Sequence, residues 1–179
     1  MTIVVTLPHF WHGEAERIVM LLHRGDVDFV HIRKPEASLS QIEQLIEQIP
    51  QQLHPRLTLH DYHILAPKHS IGGIHLNSRN PTPLAEWRGR ISISCHSIKE
   101  LSECQAERNY TYMSLSPIFD SISKQGYKSA FTPQEIEEAR QQGVINSKVL
   151  ALGGVRFSTI DDVIRMGFGG AMILGDAWK

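Results

Sequence analysis

Short runs of apolar and β-branched residues recur along the chain, and few polar positions interrupt any of them. Nearly continuous runs of this kind are typical of strands that are buried on both faces of a parallel sheet. Eight strands are predicted: Ile3–Leu7, Phe29–Ile32, Leu57–Leu59, Gly73–Leu76, Ile91–Ser94, Tyr112–Leu115, Val149–Leu152 and Ala171–Leu174.

The segments between these runs carry helical spacing and helix start signals. Three of them open with the residue pair of a capping box: Ser38 with Gln41, Ser97 with Glu100, and Thr132 with Glu135. Another helix is predicted to begin at Ser158 and stop at Gly167, and the first to run from about Gly13 to near Gly25. Prolines interrupt the third and fourth connections, so we expect short or irregular helices there.

Strict alternation of strands and helices indicates either an open doubly wound α/β sheet or a closed barrel. Eight units favour a TIM (β/α)8 barrel, predicted as a single domain over residues 1–179, although such barrels usually have about 250 residues. Only Gly175 to Lys179 follow the last strand, so we expect the last helix to be short or missing.

The composition is that of an ordinary soluble globular protein, with 41% hydrophobic residues and a formal net charge of −1. This balance gives no electrostatic argument for a nucleic acid or an anionic membrane as partner. No apolar run approaches the roughly 20 residues that a membrane helix needs. The two cysteines lack metal-type spacing, and we interpret them as reduced packing thiols in a cytoplasmic protein.

Glycines follow the last two predicted strands. Gly153 and Gly154 come after Leu152, and Gly175 comes after Leu174. Glycine lets backbone N–H groups approach an anion closely, and a following helix N-terminus adds a favourable dipole. Because the last two strands of a β/α barrel usually form its phosphate site, the pattern predicts a phosphorylated small molecule as ligand.

Polar side chains follow several of the other strands, where chemistry takes place in this fold. They are His31, Arg33, Lys34, His60, Asp61, Asn80, Ser94 and His96, with Ser121, Ser123 and Lys124 in a polar loop after the sixth strand. A carboxylate, cations and hydroxyls together suit a polyphosphate with a divalent metal.

Structural roles remain open for the same residues. Asp61 also suits a helix cap, and Arg33 with Lys34 also suits a solvated strand edge. The polar loop has a composition that disorder explains equally well. His60 and His63 are close in sequence, but no third ligand stands beside them, so a transition-metal site is not expected.

Several motifs, in this order, resemble those of the thiamine phosphate synthase family, which includes the thiazole tautomerase group. They are His31-Ile32-Arg33, His60-Asp61, Gly73-Ile74-His75-Leu76, Ser94-Cys95-His96, Ser116-Pro117-Ile118-Phe119 followed by Ser121, Ser123 and Lys124, and Leu152-Gly153-Gly154-Val155. The resemblance covers nearly the whole chain. It implies a transferase of thiamine biosynthesis that joins hydroxymethylpyrimidine diphosphate to thiazole phosphate, giving thiamine phosphate and pyrophosphate.

The resemblance also implies roles for individual residues. Arg33, Lys124 and His60 would be catalytic, and Asp61 with Asn80 would bind Mg²⁺. Residues that would bind substrate are His31, Lys34, Ser94, His96, Ser121, Ser123, Gly153, Gly154, Leu174 and Gly175.

Two departures from the family pattern weaken the diphosphate half of this site. The second metal carboxylate of the family falls at Asn80, and its lysine falls at Pro35, with Lys34 displaced by one position. An alternative is therefore a thiazole tautomerase, with a histidine as acid–base, or a non-catalytic regulator that binds thiazole phosphate. Against the tautomerase, the catalytic histidine of that group falls at Pro117.

Two further expectations concern the surface. The loop Asp120–Phe131 is predicted to close over the ligand as a lid. A missing last helix would expose apolar barrel wall near Trp178 and the first helix, so we expect a homodimer.

Overall fold

The computed structural model describes residues 1–120 and 129–179. Eight parallel strands follow one another in chain order in a closed barrel, which confirms the predicted fold class. The strands are β1 (Thr2–Val5), β2 (Phe29–Ile32), β3 (Leu57–Leu59), β4 (Gly73–Leu76), β5 (Arg90–Cys95), β6 (Tyr112–Leu115), β7 (Val149–Leu152) and β8 (Gly170–Ile173). Five match the predicted bounds, and β1, β5 and β8 differ by one or two residues at their ends.

The described residues form six α-helices between the strands: α1 (Glu14–His23), α2 (Leu39–Glu47), α3 (Leu65–Lys68), α4 (Ile98–Glu107), α5 (Pro133–Gln141) and α6 (Ile160–Arg165). Complete capping boxes start α2 and α5, as predicted. At α4 only half of the box forms, because the Glu100 carboxylate accepts from the N–H of His96 instead of Ser97. The predicted start at Ser158 is wrong, because a 3₁₀ turn, Phe157–Thr159, precedes α6.

The third and fourth connections contain a short helix or none, as their prolines predicted. Helix α3 has one turn, and the described segment between β4 and β5 contains no helix. Trp87 lies in that segment, half-buried, and its indole N–H donates to the carbonyl of Arg90 at 3.1 Å. After β8 comes a 3₁₀ turn, Gly175–Trp178, where a full barrel would have a helix.

The chain divides into two compact units. The first unit, Ile3–Ile91, contains β2 to β4, most of β1 and the start of β5. Its apolar core packs the strands against α1 and α2, with Ile18, Leu21 and Ile46 almost fully buried. The parallel register places His31 opposite Thr58, and Thr58 opposite Gly73.

The second unit comprises Met1–Thr2 and Ser92–Lys179, and contains β6 to β8 with most of β5. Its free cysteines, Cys95 and Cys104, are buried, and burial raises the pKa of both thiols. Across the described residues, no helix is both long and apolar enough to cross a membrane. One domain over residues 1–179 stays a prediction.

Candidate functional site

Three buried histidines meet in the first unit, and we call them the histidine cluster: His31 on β2, His60 just after β3, and His75 on β4. The Nδ1 atom of His31 lies 2.9 Å from Nε2 of His60, and the rings of His60 and His75 stack with centroids 4.1 Å apart. One ring nitrogen from each histidine lies within 4.8 Å of the others. Their exposed fractions are 0%, 6% and 2%, so the cluster is shielded from solvent.

The local sequence explains how the cluster forms. Strands β2 and β4 are alternate strands, whose inward side chains share a layer in this fold. The neighbouring strand β3 approaches β4 so closely that a Cβ atom on Gly73 would come 2.5 Å from Oγ1 of Thr58. Asn77 then fixes the end of β3, since its side-chain amide donates to the carbonyl of His60 at 2.7 Å.

The histidine cluster is electrically neutral at physiological pH. Burial lowers the pKa of all three imidazoles, and positive charge on nearby histidines and arginines lowers it further. The pKa of His75 falls to about 3. These rings therefore offer nitrogen lone pairs and N–H donors, and not positive charge.

Asp61 and Asn80, the predicted metal ligands, lie together beside this cluster. The amide of Asn80 donates to Oδ1 of Asp61 at 2.9 Å. The carboxylate also accepts two bonds from Arg79, at 2.9 and 3.0 Å, and this pairing raises the pKa of the guanidinium. Asp61 therefore already carries a cationic partner, which the sequence analysis did not anticipate.

Arg33 and Lys34, adjacent in sequence, have opposite environments. The Lys34 ammonium is buried and donates to the carbonyls of Leu7 and His9 and to Oε1 of Glu14, at 2.8, 2.7 and 2.5 Å. All three of its N–H donors are thereby used, which argues against the predicted role of Lys34 in binding a substrate. Burial lowers the pKa of Lys34 and raises that of Glu14, so desolvation outweighs their attraction.

The backbone of Arg33 is held by Thr6, whose hydroxyl accepts from the Arg33 N–H at 2.9 Å. Its guanidinium is half-buried, and among the described residues it forms no ion pair. Arg33 is therefore the cation of this region that is available to an anion.

In the second unit, polar side chains follow β5 and β6. The hydroxyl of Ser114 donates to Oγ of Ser94 at 2.9 Å, and Oγ of Ser116 lies 3.1 Å from Nδ1 of His96. The predicted substrate ligands Ser94 and His96 are thus each positioned by a serine on the neighbouring strand or just after it.

The glycines after β7 are required by the chain that packs on them. Gly153 and Gly154 have φ of +90° and +68°, where a side chain is strained. A Cβ on Gly153 would lie 2.7 Å from Cα of Pro117, and one on Gly154 would lie 2.5 Å from the carbonyl oxygen of Asp120. Within the described residues, the N–H groups of Gly153 and Gly154 donate no hydrogen bond, so they are available to a ligand.

Leu174 and Gly175 lie at the end of β8, where Gly175 begins the 3₁₀ turn. The Asp176 carboxylate accepts from the N–H of Phe157 at 3.1 Å, which joins this turn to the segment after β7. Ser121, Ser123 and Lys124 lie outside the described residues, as does most of the predicted lid.

No role in the site was predicted for His75, Arg79 or Glu14. His75 had a usable signal, because it is the third residue of a strand, as His31 is, on the alternate strand. No sequence signal marked Arg79 or Glu14, since charged residues in a loop and on a first helical turn are ordinary surface features.

Comparison with known proteins places the chain in a family. A family model described as thiamine monophosphate synthase matches residues 2–175. A thiamine-phosphate synthase from Photorhabdus laumondii is 29% identical over 173 residues, covering 90% of this chain and 77% of the relative.

Two solved structures also resemble the chain. The crystal structure of a thiamine phosphate pyrophosphorylase from Bacteroides thetaiotaomicron is 37% identical with a TM-score of 0.87, and covers 99% of this chain and 84% of that one. A second pyrophosphorylase, from Pyrococcus furiosus, has a TM-score of 0.71 at 15% identity, covers 98% of this chain and 89% of that one, and supports the fold alone. The family model and the Bacteroides thetaiotaomicron structure show that the chain belongs to the thiamine monophosphate synthase family.

Proposed function

We propose that this protein is a transferase that condenses hydroxymethylpyrimidine diphosphate with thiazole phosphate, giving thiamine phosphate and pyrophosphate. The observation that carries the proposal is the span of the family match, residues 2–175. This span includes the polar strand ends of the first unit and the glycine strand ends of the second.

In this reaction the bond between the pyrimidine methylene carbon and a diphosphate oxygen breaks, and the thiazole nitrogen supplies the electron pair for the new C–N bond. Negative charge grows on the departing pyrophosphate, so preorganised cations and N–H donors accelerate the step. Arg33 is the described residue best suited to this task, because its planar guanidinium binds phosphate oxygens in pairs. Ser94 and Lys124 are proposed to assist it.

The thiazole phosphate is proposed to bind at the glycine strand ends. The unbonded N–H groups of Gly153 and Gly154 suit phosphate oxygens, and the backbone at Leu174 and Gly175 is proposed to add donors. The hydroxyls of Ser121 and Ser123 complete the proposed phosphate ligands.

Mg²⁺ is the proposed metal, held by Asp61 and Asn80, whose oxygen atoms are the hard ligands that this ion prefers. The two side chains lie side by side, and the Asn80 amide would have to turn to present its oxygen in place of the N–H that it now donates to Asp61. The competing Arg79 side chain is 45% exposed and can turn outward. When bound, Mg²⁺ would neutralise charge on the leaving pyrophosphate.

The tautomerase alternative gains no support from the two buried histidines His31 and His60. A general acid or base works best with a pKa near the operating pH. Burial places the pKa of His31 and His60 well below their usual value of 6.5, so neither is suited to exchange protons near neutrality.

A homodimer in the cytoplasm remains our proposal for the protein's state. Phe10, Trp11 and Met20 expose 38%, 39% and 60% of their surface in the first unit, at and before α1. A second copy covering these residues would remove apolar area from water. Light scattering of the protein and of Met20→Glu tests this, and a monomeric wild-type protein would contradict it.

The decisive experiment supplies both substrates with Mg²⁺ and measures thiamine phosphate. We expect product, loss of activity on chelation, and recovery when Mg²⁺ is returned. Asp61→Ala should raise the Mg²⁺ concentration that gives half-maximal rate. Absence of product at high protein concentration would refute the proposed reaction.

A further inference from the structure

We propose that the histidine cluster is a binding site for a divalent first-row transition ion, with Zn²⁺ as the reference occupant and His31, His60 and His75 as its three protein ligands. Three histidines with an open fourth position form a recurrent catalytic zinc arrangement. The proposal goes beyond the condensation reaction, whose expected Mg²⁺ ligands are the oxygen atoms of Asp61 and Asn80.

The geometry of the cluster is close to what a metal requires. Zinc–nitrogen bonds of 2.0–2.1 Å in a tetrahedral site place the ligand nitrogens about 3.3 Å apart. The observed nitrogen separations are 2.9 Å for Nδ1 of His31 and Nε2 of His60, and within 4.8 Å for the set. The rings of His60 and His75 are stacked with their planes 22° apart, so they would have to turn for their lone pairs to converge on one ion.

The burial of the cluster also favours a metal. Imidazole binds metals as the neutral ring, and the near-complete burial of all three side chains disfavours their charged form. A metal would replace the single shared proton between His31 and His60 as the group that joins them. The carbonyl of His75 lies 3.2 Å from Nε2 of His63, a contact that holds the end of β4 in place.

The surroundings indicate the fourth ligand. Arg33 acts on His60 through its positive charge, and among the described residues it forms no ion pair, whereas Arg79 is paired with Asp61, so the cluster faces an uncompensated cation. A bare divalent ion would be repelled there, whereas an ion carrying an anionic oxygen ligand would be stabilised. We therefore assign the fourth position to hydroxide or a phosphate oxygen.

A second group with metal-type residues is a weaker candidate and serves as a control. Glu43, Glu47 and His69 also bring ligand atoms within 4.8 Å, but they lie at the surface. Glu43 is already paired with Lys68 and His69, at 2.7 and 2.6 Å. Its charge is therefore already compensated.

The test uses the full-length protein stripped of metal with a chelator and titrated with Co²⁺ and with Zn²⁺. We expect the protein to bind one equivalent of metal and to show the visible absorption of four-coordinate Co²⁺. Calorimetry should show Zn²⁺ affinity at least about tenfold lower in His75→Phe and in His31→Gln, because losing even a residue that only supports a metal ligand costs about that much. His69→Gln should bind like the wild-type protein.

Circular dichroism and thermal melting without metal show whether each variant folds. If neither cluster variant folds, X-ray absorption of the zinc-loaded wild-type protein decides, with three nitrogen neighbours at about 2.0–2.1 Å expected. Absence of stoichiometric binding, a mainly oxygen ligand shell, or binding lost in His69→Gln would each overturn the proposal. None of these measurements depends on condensation activity, so the two proposals fail independently.

Discussion

The polar groups at the strand ends of the two units differ in whether they already have a bonding partner. In the first unit, charged side chains are paired with each other, as Asp61 is with Arg79 and Lys34 is with Glu14. In the second unit, glycines at 153 and 154 leave backbone N–H groups unbonded among the described residues. An anion therefore finds ready donors in the second unit, whereas in the first it must compete with existing partners or rely on Arg33.

This contrast parallels the departures from the family pattern. The motif positions that differ, at Pro35 and Asn80, lie in the first unit, and the glycine strand end after β7 follows the pattern in the second. Four measurements test this difference between the two units.

The buried pair in the first unit gives the largest effect. Lys34→Met leaves the Glu14 carboxylate buried without its cation, and we expect the free energy of unfolding to fall by about 3–5 kcal/mol. Urea denaturation measures it. The double variant Lys34→Met with Glu14→Leu should recover much of the loss, because apolar side chains can replace a buried ion pair. A loss below about 1 kcal/mol in the single variant would show that the pair is not structural.

The second test concerns Arg33, the cation that we propose binds the pyrophosphate. Arg33→Ala should lower kcat for condensation by about 10²–10³-fold, the scale of losing one preorganised charge or donor. Its unfolding free energy should change little, because the guanidinium is half-exposed and forms no ion pair among the described residues. Arg24→Ala, at an exposed site, is the matched control. Equal rates in the two variants would remove Arg33 from the proposed mechanism.

The glycine strand end is tested with a matched pair. Gly153→Ala and Gly143→Ala both force alanine into a left-handed conformation, which costs about 1–2 kcal/mol. Only Gly153 has close neighbours, since a Cβ on Gly143 would meet nothing within 4 Å. We expect a larger loss of stability and a KM for thiazole phosphate raised about tenfold in Gly153→Ala alone. An unchanged KM there would exclude this strand end as the phosphate site.

The histidine cluster predicts a pH dependence of stability. Below pH 6.5 the unfolded chain binds protons that the buried, neutral rings do not, so the free energy of unfolding falls as pH falls. Each such ring contributes about 1.4 kcal/mol per pH unit, and for His75 the effect continues to about pH 3. His75→Phe should reduce the slope by that amount in urea titrations. A slope equal to that of the wild-type protein would show that His75 is not buried as a neutral ring.

Much of the fold was predictable, because strands buried on both faces need nearly continuous apolar runs and helix starts need caps. β2, β3, β4, β6 and β7 were located from that pattern alone. Ser158 failed as a helix start because Arg156 and Thr159 form a 3₁₀ turn first, and local propensity does not separate the two kinds of helix.

The site was less predictable than the fold. That Asp61 and Asn80 meet follows from neighbouring strand ends, which any parallel barrel brings together. The histidine cluster depends on register and on the orientation of rings across alternate strands, which spacing along the chain does not reveal. The burial of Lys34 depends on Glu14, twenty residues earlier, and no local signal connects them.

The helix-free segment between β4 and β5 has a consequence for experiment. Trp87 lies where a barrel of this kind usually has a helix, half-buried and bonded to the start of β5. With Trp11 and Trp178 replaced by phenylalanine, its fluorescence would report on that segment alone. Loosening of this part of the barrel wall would then be visible as an emission change that precedes global unfolding.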